Sequence, residues 1–286
     1  MTNPEIFLTW NPKVKEIEDE VGRLIKILEK AGFSVYTDSK FSKKFKNPKE
    51  IGDFIKQHAK GIIASLGGDG TLFKTIGELL SAGGKCPVIL PINYGRLGYL
   101  SEISAKDPAG VKNALKRIRK DDFLYEELPV YEFRFEKLTG YFVNDLVIST
   151  AHSIGVINVV AKIGDYEPIN ISGDGVIIST LLGSTAYNLS VEGPVLLNEA
   201  IVITPISPFS HLKPMVVGSK DRIELNLTKA EKNVSISFDG ILVEGVDGGK
   251  KLSIEKAEKK IKIVRFAKVD PIQRLKRLFK FKANIL

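Results

Sequence analysis

The chain has 286 residues, of which 43% are hydrophobic and 27% charged, as in an ordinary globular protein with a sizeable core. Its net charge of +8 is compatible with binding to nucleic acid or to a polyanionic small molecule such as a nucleotide. The single cysteine, Cys86, excludes an intramolecular disulfide and indicates a reducing cytoplasm. The three histidines lack metal-ligand spacing, which argues against a zinc site. No apolar run is long enough to span a membrane.

The first part of the chain alternates between strand-like and helical patterns. Residues 12–31 carry apolar side chains at helical spacing, and Gly32 then ends the predicted helix. Apolar runs predict four strands, at residues 6–10, 33–36, 62–66 and 88–92. This order predicts a parallel sheet covered by helices, in which ligands bind beyond the carboxyl ends of the strands.

A glycine-rich turn follows the strand predicted at residues 62–66 and leads into a second helical pattern. Its sequence is Gly67-Gly68-Asp69-Gly70-Thr71. Glycines let backbone N–H groups approach a phosphate closely, and the N-terminus of a helix favours negative charge. A simple phosphate site would hold a lysine at the tip, whereas Asp69 suits a base or a group linked to a metal. The alternative is a tight loop in which Asp69 caps the helix.

A further polar stretch, residues 93–98, ends the next predicted strand in the same way. We expect it to flank the same cleft as the glycine-rich turn, because both follow the carboxyl ends of parallel strands.

The pattern changes near residue 105. A predicted helix over residues 105–120 is followed by strand-like runs at residues 131–135, 141–149, 156–163, 175–180, 201–204, 223–227 and 234–238. We therefore predict an α/β domain over residues 1–105, an all-β, sandwich-like domain over residues 106–266 and a basic C-terminal segment over residues 267–286. That segment resembles an amphipathic helix for a membrane or nucleic acid, but we expect its apolar side chains to dock back on the first domain.

Asn144 and Asp145 interrupt the strand-like run at residues 141–149. Strand interiors disfavour both residue types, and such a local conflict often marks a functional site. An amide can recognise an adenine edge and a carboxylate can hold ribose hydroxyls. The structural alternative is a β-bulge or a turn.

Two other stretches of the second part combine glycines with polar residues. Ser172-Gly173-Asp174-Gly175 leads through an apolar run into Gly183-Ser184-Thr185-Ala186-Tyr187-Asn188-Leu189-Ser190, which offers hydroxyls, backbone groups and one aromatic ring, although it would also suit an ordinary loop. Phe238-Asp239-Gly240 by itself predicts a hairpin turn.

Taken together, these residues resemble the NAD kinase family. The resemblance rests on the glycine-rich turn, residues 93–100, Val143-Asn144-Asp145, residues 174–187, residues 205–214 and Phe238-Asp239-Gly240, in that order. The GGDGT sequence alone is shared with lipid kinases and phosphofructokinases. The run DGVIISTLLGSTAY with an upstream Asn-Asp pair is far more specific.

The resemblance implies transfer of a phosphoryl group from ATP, or from inorganic polyphosphate in some members, to the 2′-hydroxyl of the adenosine ribose of NAD. It implies Mg²⁺ or another divalent cation on the donor phosphates and no metal held by protein ligands. By position, Asp69 resembles the proton acceptor, and Gly67, Gly68, Gly70 and Thr71 resemble the loop around the donor phosphates. Lys74 matches a position that is often basic and contacts phosphate, or else it is a solvated helix lysine.

The same resemblance assigns the NAD-binding residues. Asn144 and Asp145 resemble the pair that holds the base and the ribose hydroxyls, and Asp69, Gly70 and Lys74 are also assigned to NAD binding. The remaining wall of the dinucleotide pocket is assigned to Ser172, Asp174, Thr185, Ala186, Tyr187 and Ser190. In the family a neighbouring subunit can supply part of this wall, so a homodimer or homotetramer is implied, without nucleic-acid or membrane partners.

The chain departs from the usual family pattern at several positions. Leu181 and Leu182 replace Pro-Thr, Asp145 replaces the commoner glutamate, and Phe209 replaces a histidine. These departures leave the phosphoryl donor and the choice between NAD and NADH open. Two other functions also stay open: a lipid or other alcohol kinase with a GGDGT turn, and a catalytically silent dinucleotide-binding regulator, against which the intact Asp69 argues.

Overall fold

The structure is a computed structural model that describes residues 3–11, 17–40, 45, 47–83, 87–95, 98–150, 155–228, 234–246 and 249–283. The start of the first predicted helix (12–16), Cys86 and the last three residues of the basic segment lie outside the described residues.

The helices are α1 (Ile17–Lys30), α2 (Ile51–Gln57), α3 (Asp69–Ala82), α4 (Pro108–Arg119), α5 (Tyr187–Ser190) and α6 (Pro271–Ala283). The strands of the first half are β1 (Glu5–Trp10), β2 (Ser34–Asp38), β3 (Pro48–Lys49), β4 (Ile62–Gly67), β5 (Val88–Asn93), β6 (Ile103–Ser104), β7 (Leu124–Phe135), β8 (Leu138–Phe142) and β9 (Asp145–Thr150). Those of the second half are β10 (Ile157–Ile163), β11 (Ile169–Gly173), β12 (Gly175–Ser179), β13 (Ala200–Ile206), β14 (Met215–Gly218), β15 (Ile223–Leu227), β16 (Val234–Phe238), β17 (Ile241–Val246) and β18 (Lys251–Arg265). A 3₁₀ turn covers Gly183–Thr185.

The chain divides into two compact units, residues 1–128 together with 260–286, and residues 129–259. The first unit contains a parallel sheet in the order β3-β2-β1-β4-β5, and the C-terminal end of β18 pairs in parallel with β5. Strands β1 and β4 are apolar and almost fully buried, as expected for a sheet covered on both faces. Helix α1 buries one side, Ile17, Val21, Leu24 and Leu28, against the core of this unit.

The register of this sheet positions the glycine-rich turn. Gly67, the last residue of β4, lies opposite Asn93, the last residue of β5. Because the two strands are parallel neighbours, the loops that follow them start side by side at one edge of the sheet.

The second unit is a β-sandwich. One sheet has six antiparallel strands in the order β14-β13-β12-β9-β16-β17. The other contains β11-β10-β15 followed by the N-terminal part of β18, and the end of β7 forms a hairpin with β8. Inward-facing apolar residues of both sheets form one buried cluster, with Leu146 and Ile148 on one side and Val159 and Ala161 on the other.

The predicted fold class, an α/β domain with a parallel sheet followed by a β-sandwich-like domain, is confirmed. The predicted boundaries at 105 and 266 differ from those of the compact units. Helix α4 buries Val111, Leu115 and Ile118 in the core of the first unit, so this unit extends to residue 128.

The C-terminal helix α6 also belongs to the first unit. Its Arg274 forms an ion pair with Glu126 of the same unit (2.9 Å), and Leu278 is buried. In the described part of the chain, no helix combines the length and the apolar character needed to cross a membrane.

Candidate active site

Asp69 is held in place by the second loop at the edge of the parallel sheet. One oxygen of its half-buried carboxylate accepts the backbone N–H of Tyr99 and the other accepts that of Leu100, both at 3.0 Å. The carboxylate therefore has a fixed position at the first residue of α3, next to a helix N-terminus that favours negative charge.

The glycine-rich turn and the loop after β5 lie against each other. The backbone N–H of Tyr94 donates to the carbonyl of Gly67 (3.1 Å), and a Cβ atom on Gly95 would lie 3.8 Å from the Cα of Gly68. The structure thus brings together the two segments that the sequence placed beside one cleft.

Two glycines in these loops have no room for a side chain. A Cβ atom on Gly67 would lie 2.3 Å from Oγ1 of Thr71, and one on Gly98 would lie 2.5 Å from Nδ2 of Asn93. Gly98 also has a φ of +58°, in the left-handed region that favours glycine.

Gly68 and Gly70 differ, because a Cβ atom there would meet nothing within 4 Å. Beside Asp69, the space into which a side chain at either position would project is open. The turn is therefore packed tightly from one side and accessible from the other, as a loop that receives an anion must be. Lys74 is exposed one helical turn further along α3.

Asn144 and Asp145 form a hydrogen-bonded pair in the second unit. Nδ2 of Asn144 donates to Oδ2 of Asp145 (3.1 Å), and Asp145 is almost completely buried. This burial raises the pKa of Asp145 to about 6. The prediction of one strand over residues 141–149 is wrong: β8 ends at Phe142, Asn144 lies in the connection and Asp145 begins β9.

The break between β8 and β9 has a physical cause in the turn between β16 and β17. The carboxylate of Asp239 accepts the backbone N–H groups of Val143 (2.9 Å), Asn144 (2.8 Å) and Asp145 (3.2 Å). The N–H of Asp239 in return donates to the carbonyl of Asp145 (3.0 Å). The Asp-Gly pattern predicted this hairpin turn, but it does not reveal the contact between the Asp239 carboxylate and the backbone of residues 143–145.

Burial is the main reason why the pKa of Asp239 is raised, to about 7. The neighbouring Asp145 carboxylate raises it further, and the three backbone hydrogen bonds act in the opposite direction.

The segment after β12 packs directly on the Asn144–Asp145 pair. The backbone N–H of Thr180 donates to the carbonyl of Asn144 (3.0 Å), and Oγ1 of Thr180 donates to the carbonyl of Val143 (2.6 Å). A Cβ atom on Gly183 would lie 2.0 Å from the carbonyl oxygen of Asn144. Thus the GSTAY segment begins in contact with the pair, as one site would require.

The remaining GSTAY residues differ in exposure. Thr185 is buried and its Oγ1 donates to the carbonyl of Leu182 (3.0 Å), Ala186 is half-buried, and Tyr187 and Ser190 are exposed on α5. The short helix is anchored by Asn188, a buried residue of this run for which the sequence indicated no role. Its Nδ2 donates to the carbonyls of Ser184 (3.2 Å) and Pro194 (3.0 Å).

Ser172 and Asp174 lie at the ends of β11 and β12. Oγ of Ser172 donates to Oδ1 of Asn158 (2.6 Å) across the β10–β11 pair. Asp174 is exposed, and its backbone N–H donates to the carbonyl of Ile206 (2.9 Å). Both side chains therefore lie on the surface of the second unit, where Ser172 already has a sheet partner.

Comparison with known proteins decides the family. The chain matches the ATP-NAD kinase N-terminal domain over residues 6–123 and the ATP-NAD kinase C-terminal domain over residues 143–266. A Helicobacter pylori (strain HPAG1) NAD kinase is 30% identical over 259 residues, 89% of this chain and 85% of that protein. The chain belongs to the NAD kinase family. An NAD kinase of Methanothermobacter thermautotrophicus is also 28% identical over 258 residues, 89% of each chain.

Solved structures of NAD kinase family members have the same fold. The NAD kinase of Archaeoglobus fulgidus, solved in complex with ATP, is 26% identical, with a TM-score of 0.67 over 96% of this chain and 97% of that chain. Yeast NADH kinase, solved with NADH, has a TM-score of 0.83 over 98% of this chain and 89% of that chain; at 22% identity it supports the fold alone.

Proposed function

We propose that this protein transfers a phosphoryl group from ATP or polyphosphate to the 2′-hydroxyl of the adenosine ribose of NAD, producing NADP. The observation that carries the proposal is the Asp69 carboxylate, held by two backbone N–H groups at the tip of the glycine-rich turn. Membership of the NAD kinase family identifies the substrate class and does not favour a lipid kinase, another alcohol kinase or a silent regulator.

Asp69 acts as the proton acceptor. A secondary hydroxyl is a weak nucleophile, and a positioned carboxylate can take its proton as the new P–O bond forms. The hydrogen bonds from Tyr99 and Leu100 use one acceptor site on each oxygen, so each oxygen keeps a lone pair for the hydroxyl proton. The same two bonds fix the carboxylate before substrate arrives, which reduces the cost of orienting it.

The glycine-rich turn binds the donor phosphates. The open backbone at Gly68 and Gly70 offers N–H dipoles to phosphate oxygens, and Lys74 supplies a positive charge on the same helix. Gly67 and Thr71 complete the turn, in which the N–H of Thr71 donates to the carbonyl of Gly68 (3.0 Å).

The divalent cation enters with the donor. Nowhere in the described ranges do three His, Cys, Asp or Glu side chains converge as ligands for a metal ion. Mg²⁺ is commonly held by substrate phosphates and water with few protein ligands. There it offsets the charge that develops on the transferred group.

Asn144 and Asp145 hold the NAD, and the residues around them complete its pocket. The amide serves the base and the carboxylate serves the ribose hydroxyls. Thr185 and Ala186 line the pocket beside them. The half-buried Ser172 and the exposed Asp174, Tyr187 and Ser190 contribute to its outer wall or to that of a second copy.

We also propose a homodimer or homotetramer in the cytoplasm. The outer strands β14 and β17 of the six-stranded sheet carry exposed apolar side chains, Val216 (56% exposed) and Leu242 (57% exposed). Such edges are frequent places of association between copies of a chain. The low cysteine content supports the reducing compartment.

The deciding experiment is a substrate panel. Purified protein is incubated with Mg²⁺ and either ATP or polyphosphate, in combination with NAD, NADH, diacylglycerol or sphingosine. We expect NADP or NADPH as the product and no phosphorylated lipid. Phosphorylation of a lipid without NADP formation would establish the alternative kinase, and binding of NAD without turnover would establish the silent regulator.

A further inference from the structure

We propose that Asp239 is a positioning residue for the dinucleotide: its carboxylate fixes the backbone of Asn144 and Asp145, and thereby sets where their side chains meet NAD. This inference deepens the proposed function and rests on the NAD-binding role of the pair. Asp239 lies in the turn between β16 and β17, and its carboxylate binds residues 143–145, which precede it by 94 to 96 positions in the chain.

The contact is specific to a carboxylate. Three consecutive backbone N–H groups, those of Val143, Asn144 and Asp145, point at the two oxygens of Asp239. A carboxylate offers acceptor sites on both oxygens and no donor. An asparagine would have one oxygen only, and its NH₂ group would face N–H donors.

The plain alternative is that Asp239 is there because Asp-Gly suits a tight hairpin. Asp239 has a φ of +47° and Gly240 a φ of +79°, which are typical of such a turn. A residue with only this role would be replaceable by asparagine, which tolerates the same conformation. The hydrogen bonds of the side chain instead reach out of the hairpin to the proposed NAD-binding pair.

The environment of Asp239 also argues against a purely stabilising role. Its carboxylate is largely buried, and the charged group that acts on it is the like-charged Asp145 rather than a lysine or arginine. Burial of a carboxylate near another carboxylate costs free energy. Proteins commonly keep such an unfavourable residue where a functional site needs the geometry that the residue imposes.

A second contact holds the opposite side of the same peptide groups. Thr180 binds the carbonyls of Val143 and Asn144, while Asp239 binds the N–H groups. The pair is thus fixed from both sides. Oγ1 of Thr180 also accepts the N–H of Leu182 (3.2 Å), at the start of the GSTAY segment. Of the two residues that fix the pair, Asp239 is therefore the one that can be substituted without disturbing that loop.

The test compares Asp239→Asn and Asp239→Ala with a matched control, Asp221→Asn. Asp221 lies in the connection before β15, and its Oδ2 accepts the N–H of Gly218 (2.8 Å). For both Asp239 variants we expect kcat/KM for NAD to fall about 10- to 100-fold, because a small misplacement of reacting groups has effects of this size. NAD binding by calorimetry should weaken in parallel, and the KM for the phosphoryl donor should stay unchanged. The control should match wild type in all three measurements.

A double-mutant cycle with Asp145→Ala tests whether Asp239 acts through the pair. If it does, the loss of NAD affinity in the double variant Asp145→Ala/Asp239→Asn is smaller than the sum of the losses in the two single variants. Additive losses would contradict the proposal, as would an Asp239→Asn variant with a lower Tm but unchanged NAD binding and KM. A wild-type protein that neither binds nor phosphorylates NAD would instead overturn the proposed function.

Discussion

Asp69 combines two roles that are usually separate, since its carboxylate is both a proposed base and the anchor of a neighbouring loop. Asp69→Asn should lower turnover about 10²- to 10⁴-fold, the usual range for loss of a general base. NAD affinity should change far less, because the proposed NAD-binding residues Asn144 and Asp145 are unchanged, although the amide can accept only one of the two N–H groups that the carboxylate accepts. Steady-state kinetics and calorimetry on the same preparation check both statements.

The matched control for this variant is Asp107→Asn. Asp107 caps α4 in the same unit by accepting the N–H of Gly110 (3.0 Å), and asparagine caps a helix equally well. The control should therefore have wild-type turnover and Tm. Near-normal turnover of Asp69→Asn would remove Asp69 from the mechanism.

The buried Asp145 should give the ligand-free protein a characteristic pH dependence. Burial raises its pKa to about 6, so between about pH 4 and pH 6 the folded protein keeps a proton that the unfolded chain has released. The contribution of this group to stability is therefore full below about pH 4 and is lost as the pH rises through 6, by at most about 3 kcal/mol.

Asp145→Asn removes this titration. The Tm of the variant minus that of wild type should accordingly increase from pH 4 to pH 7, measured without ligand. A constant difference for Asp145→Asn across this range would mean that Asp145 ionises normally in the folded protein.

At the scale of elements, the contact between the GSTAY segment and the pair can be tested at one glycine. A methyl group on Gly183 would overlap the carbonyl of Asn144, so Gly183→Ala should destabilise the protein by about 1–3 kcal/mol and weaken NAD binding. Gly22→Ala is the control, because its Cβ would lie 3.7 Å from Phe45, an ordinary contact on α1. Wild-type Tm and NAD affinity in Gly183→Ala would show that the loop and the pair move independently.

Local sequence pattern predicts those elements whose environment repeats regularly. The parallel strands β1, β4 and β5 are continuous apolar runs because both faces of their sheet are covered, and α3 buries Leu72, Ile76 and Leu79 at helical spacing. Strand β18 was not predicted individually. Its inward residues Leu252 and Ile254 alternate with Lys251, Ser253 and Glu255, so no continuous apolar run marks the strand.

The candidate site was only partly predictable for a related reason. Residue type and resemblance marked Asp69, Asn144 and Asp145. The contacts that fix them come from distant parts of the chain: Leu100 for Asp69, and Asp239 for the pair. The residue type of a backbone donor cannot indicate such a hydrogen bond, since every residue except proline has a backbone N–H group.

For the whole molecule, the proposed oligomer predicts a concentration dependence. If residues of one copy complete the pocket of another, activity per protomer should fall on dilution as the assembly dissociates. Sedimentation velocity over the same concentrations should show the assembly disappearing in parallel. A protein that is monomeric throughout and retains full activity would rule out a shared site.

The first unit is assembled from the two ends of the chain, and this has a consequence for biosynthesis. On the ribosome, residues 129–259 emerge before Lys262 and Ile263, which pair with Val88 and Ile89 of β5. Until then that edge of the nascent sheet has unpaired backbone groups, a known template for aggregation. The second unit can therefore complete its fold first, whereas the first unit lacks one strand of its sheet until the C-terminal end of β18 has been synthesised.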